Sequence, residues 1–144
     1  MNNSFGFKLI AVLDINTLIL FKAQGLQIIE TIKRISIHSN INHKTEKHEG
    51  FKSQSKTQSS FYDPHSSPKD IEYIESSRTA AKEIESVISN DNSYKSLILV
   101  GNAKILSYTS KALSKKSKAL ILKKIQKNMI KNSTNEITRA VFGF

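Results

Sequence analysis

The sequence predicts a single α/β domain over residues 1–144, built on a mixed five-stranded sheet, and three observations predict it. At 144 residues the chain has the length of one domain. Its large apolar side chains crowd into two segments on either side of residues 36–70, a stretch nearly free of them. The first segment reads as three short strand-like runs with tight breaks, and the second alternates helical stripes with short apolar runs. The element order is β-β-β-α-β-α-β-α, that of ribonuclease-H-like folds, with an antiparallel meander first and αβ units after it.

Residues 7–14 (FKLIAVLD) are rich in apolar and β-branched side chains and predict the first strand. Asp14, Ile15 and Asn16 make a turn, and residues 17–24 (TLILFKAQ) make a second strand. Gly25 breaks it, and residues 26–35 (LQIIETIKRI) make a third. Residues 36–66 are dominated by Ser, Lys, His, Gln and Asn, and predict a long, polar, flexible loop. Ser67 suits a helix N-cap, Pro68 the first helical position, and Asp70 the third. The helix runs to about Asn90, with Ile71, Ile74, Ala81, Ile84 and Ile88 on one face. Residues 96–101 (SLILVG) form a continuous apolar run, the mark of a strand covered on both sides. Residues 103–113 predict a second helix, with Ile105, Leu106, Ala112 and Leu113 inward, and residues 114–118 another short turn. Residues 119–125 (ALILKKI) predict the fifth strand. Ser133 and Glu136 have capping-box spacing before Ile137, Ala140 and Val141, the inner face of a terminal helix.

The formal net charge is +10, and it is localised. Ten lysines and no acid lie between Asn92 and Asn135, while the twelve other basic residues are matched by twelve acids. A surface of one sign attracts polyanions. Lys111, Lys115, Lys116, Lys118, Lys123, Lys124, Lys127 and Lys131 cluster around the second helix and last strand, as candidate phosphate-contacting residues. Only Tyr108 stands between Tyr94 and Phe142 to stack on bases, which favours contact with structured RNA over reading of single strands. In the loop, Phe51, Gln54, Phe61 and Tyr62 are the residues expected to meet a partner.

Other chemistries find less support. There is no cysteine, which removes disulfides and thiol nucleophiles and suits a reduced, cytoplasmic setting. The apolar run from Leu9 to Phe21 is interrupted by Asp14 and Asn16 and is too short to span a bilayer, so no membrane span is expected. No Walker or Rossmann glycine pattern and no G-x-S-x-G elbow occurs. His38, His43, His48 and His65 lack helical spacing and read as polar loop residues rather than metal ligands. A metal-dependent nuclease would need several clustered carboxylates; Asp14 is a candidate, but the fourth strand ends in Val100, Gly101 and Asn102. Asp14 reads better as a turn residue, and Glu72, Glu75, Glu83 and Glu85 as a solvated helix face. No cofactor and no catalytic residue is expected.

Several local stretches, in order, resemble the bacterial family described as required for attachment to host cells. They are AVLD ending at Asp14, YDPHSSPKDIE at 62–72, AAKEI at 80–84, LILVG at 97–101 and KALSKKSKAL at 111–120. The resemblance covers about Phe7 to Phe142. It implies a fold similar to the middle domain of archaeal and eukaryotic peptide-chain release factors, whose loop before the long helix carries Gly-Gly-Gln. Here that loop holds Gly50, Phe51, Lys52, Ser53 and Gln54, without the tripeptide, so release chemistry is not implied. The acids the family carries in its last strand, in a pattern like E-I-D-K-D-L, are replaced here by Lys124, Gln126 and Asn128 within 124–129. The resemblance implies a non-enzymatic binding protein with an indirect role in attaching bacteria to host cells, its partner an unknown protein or structured RNA. The rival reading is a translation-associated factor that touches ribosomal RNA through the lysines.

Overall fold

The computed structural model describes residues 6–37 and 68–143. Within them the order is β1 (Phe7–Leu13), β2 (Thr17–Gln24), β3 (Gln27–Ser36), α1 (Pro68–Asn90), β4 (Tyr94–Gly101), α2 (Ala103–Ala112), α3 (Lys115–Ala119), β5 (Ile121–Gln126) and α4 (Thr134–Phe142). The predicted element order is therefore found. The five strands form one mixed sheet in the order β3-β2-β1-β4-β5. β1 pairs antiparallel with β2 and parallel with β4; β2–β3 is antiparallel and β4–β5 parallel.

Local chemistry sets the two hairpin turns. The Asp14 carboxylate accepts the N–H groups of Asn16 and Thr17, each at 2.8 Å, closing the β1–β2 turn. Between β2 and β3 the chain reverses at Gly25, whose φ of 62° favours glycine.

The continuous apolar runs of β1 and β4 are covered on both sides. On one face Leu9, Ala11, Leu13, Leu97 and Leu99 pack under α1 and α2, against Ala81, Ile84, Ile88, Ile105 and Leu106. On the other, Ile10, Val12, Ile98 and Val100 pack under α4 and its approach, against Ile137, Val141, Met129 and Ile130. The result is a sheet between two helical layers. Ser76, fully buried in α1, donates to the Ile15 carbonyl at 2.8 Å and fixes the long helix over the β1–β2 turn.

The structure moves several predicted boundaries. β4 starts at Tyr94, not Ser96, and the Tyr94 ring is buried. Its tyrosine and lysine break the apolar run that marks the strand. β5 starts at Ile121 because Ala119 and Leu120 complete α3. Ala112 is exposed; Thr109 takes the inward position instead, one turn earlier. Ser36 ends β3 and Ile37 is fully buried, its N–H donating to the Asn16 carbonyl at 2.7 Å, so the polar stretch begins after them. The capping box forms as predicted, Ser133 accepting from the Glu136 N–H at 3.2 Å and Glu136 from the Ser133 N–H at 3.0 Å. The Ser67 cap lies outside the described residues.

Gly101 ends β4 where the chain turns into α2, and space is scarce there. A β-carbon on it would stand 2.6 Å from the Leu13 carbonyl oxygen and 2.9 Å from Ile105 Cγ2. Gly101→Ala should therefore lower stability by about 1–3 kcal/mol, as overpacking of a filled core does. A urea denaturation midpoint equal to that of the wild type would contradict this close packing.

Candidate functional site

β5 forms one edge of the sheet, and the lysines predicted from sequence surround it. Lys111 lies in the last turn of α2, Lys115, Lys116 and Lys118 on α3, Lys123 and Lys124 on β5, and Lys127 and Lys131 between β5 and α4. All eight are exposed. α3 delivers the chain to the start of β5, whereas Lys127 and Lys131 follow its end. The basic rim therefore runs the length of a six-residue strand, roughly 20 Å.

The rim is not uniform. Lys123 pairs with Ile98 and Lys124 with Leu99, so the two side chains leave opposite faces of the sheet. The Lys123 ammonium donates to the Val141 carbonyl at 2.5 Å, near the C-terminal end of α4, where a cation is favoured. Lys123 is thus partly spent on structure. The α3 lysines are held differently. Ser114 caps α3, and both Ser114 and the buried Ser117 are gripped by Glu85 of α1. Glu85 accepts the Ser114 N–H at 2.6 Å, the Ser114 hydroxyl at 3.2 Å and the Ser117 hydroxyl at 2.8 Å. Burial pushes this carboxyl up, but the Ser114 N–H, the two hydroxyls and the nearby Lys116 charge together hold it below its ordinary value of 4.5. Glu85 is therefore an anchor for three lysines, not part of a solvated face. Glu83 also has a partner, Lys33 of β3 at 2.9 Å.

A second group, which the sequence does not bring together, sits where α1 meets α2. Tyr73 of α1 and Tyr108 of α2 stack with ring centroids 6.3 Å apart and planes at 25°. The Lys104 ammonium stands 5.4 Å from the Tyr73 centroid, and the Lys111 ammonium 5.9 Å from that of Tyr108. Lys104 also pairs with Asp70 at 2.5 Å, which raises its pKa. Asn102, the cap of α2, accepts the Ile105 N–H at 2.9 Å and approaches the Tyr73 hydroxyl at 3.5 Å. Tyr73 and Tyr108 lie far apart in sequence, so only the α1–α2 packing brings them together.

Asp14, the nuclease candidate, spends its carboxylate in the β1–β2 turn. Among the described residues, no three His, Cys, Asp or Glu side chains converge as a metal site, and no helix is long and apolar enough to cross a membrane. Phe51, Gln54, Phe61, Tyr62 and the four histidines lie outside the described residues. An open groove of about 520 Å³ lies between the β2–β3 turn and the start of α4. Its lining, which includes Gln24, Leu26, Thr134 and Asn135, carries no charged side chain, and it involves the opposite edge of the sheet from the lysines.

Fold and rim together define a small α/β protein with a mixed five-stranded sheet and a cationic edge. The chain belongs to the family described as "Protein required for attachment to host cells", which it matches over residues 9–141. It is similar to "Uncharacterized protein RP470" of Rickettsia prowazekii (strain Madrid E), with 32% identity over 139 residues, covering 94% of this chain and 92% of that protein. Among solved structures it is similar to one titled "Archaeal protein", at 11% identity and a TM-score of 0.46. That match covers 98% of this chain but 36% of the other.

The lowered pKa of Glu85 means that the folded protein binds this proton less readily than the unfolded chain. Its stabilising contribution is complete above the ordinary value of 4.5 and is lost as pH falls below it. Glu85→Gln should then cost about 1 kcal/mol at pH 7, and the difference from wild type should shrink towards pH 3 in parallel urea titrations. An equal difference at both pH values would show that the anchor does not depend on the carboxylate charge.

Proposed function

We propose that this chain is a non-enzymatic, cytoplasmic binding protein whose lysine rim docks on the phosphate backbone of structured RNA, ribosomal RNA included, and whose part in host attachment is indirect. One observation carries the reading: three lysines of α3 project from a turn pinned to α1 by Glu85, with Lys111 before them and four more along and beyond β5. A lysine fixed by its backbone loses less freedom on meeting a phosphate than one on a mobile tail. Each phosphate neutralised releases counterions, so such a rim binds with a steep salt dependence. Family membership supports the attachment role, and the absence of cysteine suits a reduced compartment.

Fluorescence anisotropy with a ribosomal RNA fragment tests the docking. Affinity should fall steeply between 50 and 200 mM salt, roughly as expected for several neutralised phosphates. Replacing Lys115, Lys116 and Lys118 together by Glu should weaken binding about tenfold or more and flatten the salt slope by roughly one for each phosphate left unneutralised. Unchanged affinity in that variant would leave the rim without this role. The indirect role makes a separate prediction: protease added to intact cells should leave the chain uncut, and cleavage would instead place it on the surface.

A further inference from the structure

Between Tyr94 and Phe142 the sequence offers one aromatic ring, that of Tyr108; the fold supplies a second beside it. Tyr73 is among the residues packed against the core beneath α1 and α2, so its ring backs the pair. Tyr108 belongs to neither core cluster and is half-buried, on the α2 face that also carries Lys104 and Lys111, four residues before it and three after it. Each ring has an ammonium group within 6 Å of its centroid. The Lys104 charge is shared with Asp70, whereas Lys111 leads directly into the α3 lysines. A ring backed by another ring, bordered by cations and continuous with a phosphate-binding rim, has the parts of a nucleobase platform.

From this arrangement we infer that Tyr108, backed by Tyr73 and flanked by Lys104 and Lys111, stacks on an unpaired base of the RNA whose backbone the lysine rim holds. The inference rests on the RNA reading above and narrows it, since a perfect duplex keeps its bases stacked inside and offers none to Tyr108. The preferred partner is then an RNA helix with a loop, bulge or end beside it. Lys111 meets the phosphate next to the stacked base, and the α3 and β5 lysines follow the adjoining helix. The tyrosine hydroxyl takes no part in stacking, so a phenyl ring in its place keeps the function.

Three RNAs of matched length separate these terms when titrated against the full chain: a hairpin with an unpaired loop, the same hairpin with abasic loop positions, and an uninterrupted duplex. Wild type should bind the loop hairpin roughly fivefold or more tightly than the other two, the scale of one stacked base. Tyr108→Leu, which keeps an apolar side chain against α1, should lose that preference and retain the duplex affinity. Tyr108→Phe should keep the preference. Equal binding of the loop and abasic hairpins by wild type would overturn the inference, as would a Leu variant that still prefers the loop. If those results came with duplex binding that the α3 charge reversal abolishes, the rim would stand and only the stacking would fall. Binding of none of the three RNAs would remove both. A urea midpoint for Tyr108→Leu close to that of wild type identifies the loss as one of recognition; a large fall with abolished duplex binding would show the tyrosine to be purely structural.

Discussion

Two adjacent parallel strands have to be kept dry on both faces, and the rest of the structure answers to that constraint. From Leu9 to Leu13 and from Leu97 to Val100, every residue of β1 and β4 is fully buried. A hairpin could satisfy their hydrogen bonds but could not cover them. α1 and α2 close one face, and α4 with Met129 and Ile130 closes the other. The crossover helices that make parallel pairing possible also cover one face, and the segment after β5 covers the other. The close fit at Gly101 follows from the same demand: α2 must turn back over Leu13 as soon as β4 ends.

Covering the sheet leaves its edges as the places where something can happen. β5 is short, and its register shifts between Leu97 and Ile98. Its start is set by the Leu97 N–H donating to the Leu120 carbonyl at 2.8 Å, immediately after α3. Glu85 fixes that junction from the far side, because Ser114 and Ser117 present three donors to one carboxylate. The competition is legible at this residue. Partial burial alone would favour the neutral acid; the backbone N–H and two hydroxyls outweigh it, and the charge persists. The same anchor that stabilises the α2–α3 corner therefore decides where three lysines stand.

Much of this is legible in the sequence, and the failures have physical reasons. Short apolar runs with turn residues between them locate the strands, and the pattern of Ile71, Ile74, Ala81, Ile84 and Ile88 locates the long helix. The capping box at Ser133 is visible because its partners are three residues apart. What the sequence hides are pairs distant along the chain. Glu85 looks like one more acid on a polar helix face until the fold sets Ser114 and Ser117 beside it. Tyr73 lies outside the basic segment, so nothing in the sequence couples it to Tyr108. Met129 and Ile130 fall in a stretch that reads as polar, yet both are buried beneath α4. Tyr94 opens β4 although Lys95 beside it interrupts the apolar run; the two alternate inward and outward at the strand's wet end.

A lysine-rich edge strand has an ordinary explanation, since charges there block pairing with another sheet. That explanation fits Lys123 and Lys124, which straddle the edge, and Lys123 gains a helix carbonyl as well. It does not reach α3, whose lysines belong to no strand, nor Lys111 and Lys104 on α2. Solubility does not account for them either, because charge scattered over the whole surface would serve it as well, and here the rest of the chain is balanced. Apart from Lys127 and Lys131 beyond the end of β5, the positions that edge protection leaves unexplained are the ones on the helix held by Glu85 or set beside a tyrosine ring. Rigid placement of like charges costs repulsion in the free protein, and a polyanion that neutralised them together would relieve it.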